Sequence, residues 1–274
     1  MALTLVELAP HEWRFLFGPE IEGAYERFDT ALEWMQRGDY RAAEERLQAI
    51  VSEIPGHIDA RHHLAIVLDD FRRPAQALSQ WQAAVKAGMA ALPATFVFGR
   101  DRLEWGWLTN RPFLRAYAAL GMMHQRRGMM GEAYTIFRNI LDLNPNDNQE
   151  IRALAIDSLF ELRRPHEVVE LCDRLAVHDE DVLFGRALAH HHLGNTREAR
   201  EAGALAASAY PRVAEELLKT RHTPPPGDGS GYITEGGADQ AYEYWRRCGR
   251  HWKKLPGALD LLKPPSARKL RIVP

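Results

Sequence analysis

Cysteine is nearly missing from this chain. Cys172 and Cys248 stand 76 residues apart and no C-x-x-C pair occurs. That excludes a disulfide framework and a zinc ribbon, and it points to a reducing, cytoplasmic setting. No run of about 18 uncharged apolar residues exists, so no membrane-crossing helix is expected. The first residues carry Glu7, His11, Glu12 and Arg14 without a basic leading segment, which argues against a secretory leader. G-x-S-x-G and G-x-x-x-x-G-K are both missing, and the GDGSG stretch at 227–231 lacks a strand before it and a suitable helix start behind it. The paired acids Asp69-Asp70 and Glu44-Glu45 are adjacent, so on a helix they face apart and cannot share a proton. His62-His63 and His190-His191-His192 lack the i, i+4 spacing by which one helix presents two metal ligands. No catalytic residue, metal or cofactor is expected.

What is present is a folded composition, 46% apolar and 26% charged. The net charge of −2 is unevenly spread. From Gln240 onward nine cations face only Glu243 and Asp260, leaving −9 on the preceding 239 residues. Such asymmetry reads either as a basic arm for an outside partner or as docking on an acidic body.

The clearest pattern runs from Asn110 to Asp147. Leu114, Tyr117, Leu120 and Gly121 line one face of a first helix. Ala133, Ile136, Phe137, Ile140 and Leu141 line a second, with Gly128 between them and Asn144-Pro145 at the end. The same frame recurs. Ala31 precedes Ala43 by 12 residues, as Ala65 does Ala77, Gly121 does Ala133 and Ala187 does Ala199. Two helices that cross closely need small residues at such a spacing. A fourth unit at 152–175 is one residue out of step, with Ala155 and Val168 13 apart.

Small residues at these places, Gly38, Gly128 and Gly194 in the turns, and Pro55, Pro145 and Pro211 at the ends together resemble the tetratricopeptide repeat. The resemblance implies an all-α, right-handed solenoid of about five tetratricopeptide-like helical hairpins with one aromatic insert and a C-terminal capping helix. Its expected divisions are a cap at 1–23, hairpins at 24–90, the insert at 91–110, hairpins at 111–212, a loop with capping helices at 213–262 and a basic tail at 263–274. The short amphipathic piece before Gly18-Pro19 would cover the first hairpin, since end repeats need caps. The segments GRDRLEWGWLTNRPFLRAY (99–117), LNPNDNQ (143–149) and WKKLPGALDLL (252–262) also resemble the suppression-of-tumorigenicity family and its bacterial tetratricopeptide-type relatives, a likeness that implies no chemistry.

A repeat of this type is expected to bind a peptide or protein segment along the first helix of each pair. Its template puts Tyr25 and Phe28, then His62, Asp69 and Asp70, on that face. Arg115, Met122, Gln125 and Arg126 follow, and then Phe184 and His191. The asparagines that some repeats use to grip a peptide carboxylate do not occur on these first helices. The insert offers a rival surface: Phe96, Phe98, Trp105 and Trp107 alternate around Gly99-Arg100-Asp101-Arg102, beside Arg111. A short hairpin and an ordered loop both suit that spacing. The rings equally suit glue between insert and hairpins.

The expected role is a non-catalytic interaction scaffold, with room for a homodimer through a terminal hairpin. The alternative is nucleic-acid association through 238–255, where Arg246, Arg247, Arg250, Lys253 and Lys254 interleave with Tyr242, Tyr244, Trp245 and Trp252.

Overall fold

The computed structural model of the chain describes residues 3–227 and 232–263. Two strands open it, β1 (Leu3–Ala9) and β2 (Glu12–Phe17), paired antiparallel with Leu5 opposite Phe15. The helices follow in order: α1 (Pro19–Glu22), α2 (Tyr25–Gln36), α3 (Tyr40–Glu53), α4 (Ile58–Asp70), α5 (Pro74–Ala90), α6 (Arg111–Arg126) and α7 (Met130–Leu143). Then come α8 (Ile151–Glu161), α9 (Pro165–Arg174), α10 (Glu180–His192), α11 (Thr196–Ala209), α12 (Pro211–Leu218) and α13 (Ala238–Lys254). The fold is all-α and built of helical repeats. The chain divides into two compact units, residues 1–155 and 156–274, and the division falls inside α8.

The hairpins form where the spacing places them: α2 packs on α3, α4 on α5, α6 on α7, and α10 on α11. Ala31, Ala43, Ala65, Ala77, Ala133, Ala187 and Ala199 are all completely buried at the crossings. Gly121 shows why the residue must be small. A Cβ there would lie 2.5 Å from the Phe137 ring. Proline opens α5, α6, α9 and α12, where its missing N–H costs no helical hydrogen bond. The interhelix turns need one left-handed residue. Gly38, Gly128 and Gly194 supply it, but Arg72 and Arg163 hold the same conformation, both at φ 58°.

Residues 3–17 are strands where the sequence reading expected a short amphipathic piece. The two strands form a β-hairpin held to the insert: the Trp13 N–H donates to the Arg102 carbonyl (3.0 Å), and the Arg102 N–H donates to the His11 carbonyl (2.8 Å). Fully buried Asn110 completes the join, accepting from the Phe15 N–H (3.0 Å) and donating to the Trp13 and Glu104 carbonyls. The insert is an ordered loop despite its alternating rings, with one bridge between Phe98 and Asp101 and another from Arg102 to Glu12 of β2. Leu103 and Trp105 tie it to the end of α7 through the Leu143 carbonyl and the buried Asn144 side chain. The basic tail beyond Lys263 and the GDGSG centre at 228–231 lie outside the described residues.

Candidate functional site

In the first unit, α4 and α6 present the first-helix face expected to hold a partner. Their side chains line an open cleft of about 470 Å³. The apolar lining is Ile66, Trp81, Ala118, Ala119 and Met122, and the polar lining is His62, Asp69, Arg115, Arg126 and Gln149. Met122 is 41% exposed, an unusual position for a large apolar side chain on a helix that buries most of its other residues.

Its electrostatics are settled within the face. Arg115 reaches both Asp59 carboxylate oxygens at 3.1 Å, and Arg126 meets Asp69 at 2.8 Å. Burial pushes the Asp59 carboxyl up, but His63 and Arg115 outweigh it and hold the group below its ordinary value. His62 accepts the Trp81 indole N–H at Nδ1 (3.2 Å). Its burial, with His63 alongside, pushes it down to about 3, so it is neutral at physiological pH. Two buried atoms of the lining have no hydrogen-bond partner among the described residues: Arg115 Nε, a donor, and Gln149 Oε1, an acceptor.

The structure thus brings His62, Asp69, Arg115, Met122 and Arg126 together at one cleft. Asp70 is exposed at the edge of an adjoining charged depression, and Gln125 is half-buried on α6. Tyr25 is exposed, with Asp59 and Glu22 close enough to act on its charge. Phe28 is not a lining residue: it is buried against the His57 and His63 rings, at 5.2 and 5.3 Å. Gln149, just before α8, falls outside the repeat template, which is why template positions alone do not find it.

Two of the insert's four rings, Phe96 and Trp107, meet the N-terminal hairpin. Trp107 donates to Glu12 (2.8 Å), Phe96 meets Trp13 at 6.1 Å and Phe98 at 5.7 Å, and Arg111 lies over Trp105 at 5.1 Å. Buried Asp101 accepts from Arg100, the Val97 N–H and His11 at its centre; Arg100 holds its carboxyl well below the usual range.

In the second unit the corresponding face is covered. Phe184 has no exposure: it meets Tyr244 at 5.3 Å and Trp252 at 5.9 Å, both from α13. His191 bonds the Pro256 carbonyl at 2.9 Å. The basic helix therefore lies on the groove residues of its own unit. Arg247 pairs with Asp181, and Arg250 pairs with Asp157 and Glu161 (2.8 Å to Glu161). His251 meets Asp157 at 2.8 Å. Arg246 pairs with Glu243 on α13 itself, Lys253 lies over the Trp245 ring, and Lys254 is exposed within reach of the Glu161 charge. Of the two readings that the charge asymmetry left open, docking on an acidic body is what Arg247 and Arg250 do.

Residues 35–254 match the family described as transcriptional repressor TCF25. No curated protein matches the chain. Among solved structures, YrrB, described as a TPR protein with an unusual peptide-binding site, is similar at 14% identity and a TM-score of 0.52, over 71% of this chain and 93% of its own. A tetratricopeptide repeat protein from Parabacteroides merdae is similar at 15% identity and a TM-score of 0.53, over 90% and 82%. These likenesses establish the tetratricopeptide-like fold. The local resemblance to the suppression-of-tumorigenicity family has no counterpart among these matches.

Proposed function

The chain belongs to the Tcf25 family, and from that premise we propose that it is a non-catalytic interaction scaffold that holds a peptide segment of a protein partner in the α4/α6 cleft. The observation that carries this is an apolar floor, with Met122 41% exposed, set between ion pairs that are already closed within the face. The floor takes a large apolar side chain of the same segment, while the flanking acids are already neutralised by Arg115 and Arg126 and ask for no charge from the ligand. The interaction-scaffold role suits the repeat fold and the peptide-binding relative. The family description adds a setting, a segment of the transcriptional machinery met in the nucleus, in place of the cytoplasm read from the scarcity of cysteine. Both thiols suit either reducing compartment, since burial pushes each up to about 12.

Random-peptide display against the full chain tests this reading. Enriched peptides should share a large apolar anchor and lose about tenfold or more in affinity to Met122→Glu, which charges the floor at an exposed position. Equal binding by wild type and Met122→Glu, with unchanged melting temperatures, would remove the cleft as the site.

A further inference from the structure

The β-hairpin of the first unit leaves one row of main-chain groups unused. We propose that the outer edge of β1 docks an extended segment of a protein partner, which adds to the sheet as an antiparallel strand with a basic residue opposite Glu7 and an apolar residue opposite Leu5. The inference is independent of the α4/α6 cleft.

The hydrogen-bond pattern fixes which groups are available. The Trp13 N–H goes to the Arg102 carbonyl and the Phe15 N–H to the Asn110 side chain, so both residues of β2 turn their main-chain groups away from β1. In an antiparallel pair, residues opposite one another face inward together or outward together. Glu7 and Leu5, opposite Trp13 and Phe15, therefore aim their N–H and C=O groups away from β2, and Leu3 does the same two residues on. Thr4 and Val6 make the ladder with Leu16 and Arg14. The sheet has two strands, and the insert bridges to β2 through Arg102 and Glu12, not to β1. Among the described residues, the outward groups of Leu3, Leu5 and Glu7 thus have no main-chain partner.

Donors and acceptors repeated every second residue along a line are matched by another extended backbone. Natural edges are commonly blunted by lysine or proline. β1 contains neither, and its one irregularity lies at its far end, between Glu7 and Ala9. Side chains define the rest of the guest. Leu5 shares a face with fully buried Phe15, which meets Phe113 at 5.4 Å, so a guest residue beside Leu5 extends an apolar surface. Glu7 is exposed and accepts the His11 N–H (2.9 Å). Its charge reaches Arg100, but that guanidinium is paired with Asp101 at 2.7 Å. A cation opposite Glu7 adds a cross-strand pair, and an acid there is repelled. β1 has no cation of its own, so a second copy of the strand cannot supply that pair.

The probe is a labelled, end-blocked peptide, Lys-Thr-Val-Thr-Val-Thr, titrated into the full chain while its anisotropy is followed. Antiparallel addition puts its lysine opposite Glu7 and its valines opposite Leu5 and Leu3. Binding should be saturable and one to one. It should slow hydrogen exchange at the Leu5 and Glu7 amides, those of Thr4 and Val6 being slow beforehand. Methylating the two valine nitrogens, which face β1, should weaken binding about tenfold or more, whereas methylating the first two threonine nitrogens, which face away, should change it by less than about threefold. Glu7→Lys should reverse the preference, so that a glutamate-led peptide binds better than the lysine-led one, and Met122→Glu should alter neither. No saturable binding, equal loss from the two methylation patterns, or loss with Met122→Glu overturns the proposal. A concentration-dependent dimer of the chain alone, dispersed by the peptide, would assign the edge to a second copy and overturn it too.

Discussion

The two first-helix faces share one carboxylate position, Asp59 and Asp181, each six residues before the small residue of its helix, and differ in where the matching arginines come from. In the first unit Asp59 and Asp69 on α4 meet Arg115 and Arg126 on the next first helix, α6. In the second, Asp157 on α8 and Asp181 on α10 meet Arg250 and Arg247 on α13. A face that carries both charges is complete without a ligand and stays open. A face whose aspartates pair with arginines of a separate helix is covered by that helix. Two arginines, moved from inside the repeat array to a separate helix, convert a vacant groove into a filled one.

The largest expected effect is at the filled face. Trp252 is fully buried, the bulkiest such side chain among the described residues. Trp252→Ala leaves a cavity over Phe184, and chemical denaturation should show a loss of about 3–5 kcal/mol. A loss below about 1 kcal/mol would mean α13 only rests on the unit.

The charge comparison is tested by two matched substitutions. Arg247→Met keeps the aliphatic stem but removes the ion pair with Asp181, whose side chain is 8% exposed. The expected cost is about 2–4 kcal/mol, below that of a fully buried pair because Arg247 is itself 31% exposed. Arg115→Met leaves Asp59 with its His63 contact and costs about 1 kcal/mol or less. Equal costs would erase the distinction between the faces.

The faces should also differ in pH response. Burial, with Asp181 and Asp179 nearby, pushes Glu180 up to about 7 from its ordinary 4.5. A raised carboxyl favours the protonated folded state, so its contribution is full below about 4.5 and is lost as pH rises through about 7. Glu180→Gln should therefore raise the melting temperature at pH 8 and change it little at pH 4.5. In the first unit, His62 stays neutral and Asp59 charged from pH 5.5 to 8, so peptide affinity for the cleft should be flat there.

The sequence makes the hairpins legible because their signal is local: a small residue, a turn and another small residue 12 positions on. The cleft is half legible for the same reason, since His62, Asp69, Arg115, Met122 and Arg126 follow from the repeat. Gln149 does not, because it belongs to a loop with no template position. The N-terminal strands are opaque to periodicity. They are fixed by Asn110 and Arg102, roughly ninety residues downstream, and a buried asparagine looks like any surface one until its partners are known. α13 reads as a cationic arm because its carboxylates lie 66 and 93 residues upstream.

The smallest expected effect concerns the turns. Three hairpins place glycine at the left-handed turn residue, while α4/α5 and α8/α9 place Arg72 and Arg163 there. An L side chain in that conformation costs roughly 1–2 kcal/mol from Cβ crowding against the carbonyl. Glycine relieves it but adds freedom to the unfolded chain, which offsets about half. Arg163→Gly should thus stabilise by about 0.5–1 kcal/mol. Arg72→Gly should gain the same if the strain is purely local. Arg164 and Arg73, the next residues in the two turns, sharpen the comparison: Arg73 bonds Glu44 on α3, so a neighbouring glycine that loosens this turn also loosens that tie. Arg72→Gly should consequently gain less than Arg163→Gly, and a larger gain at Arg72 would show that the ion pair contributes nothing.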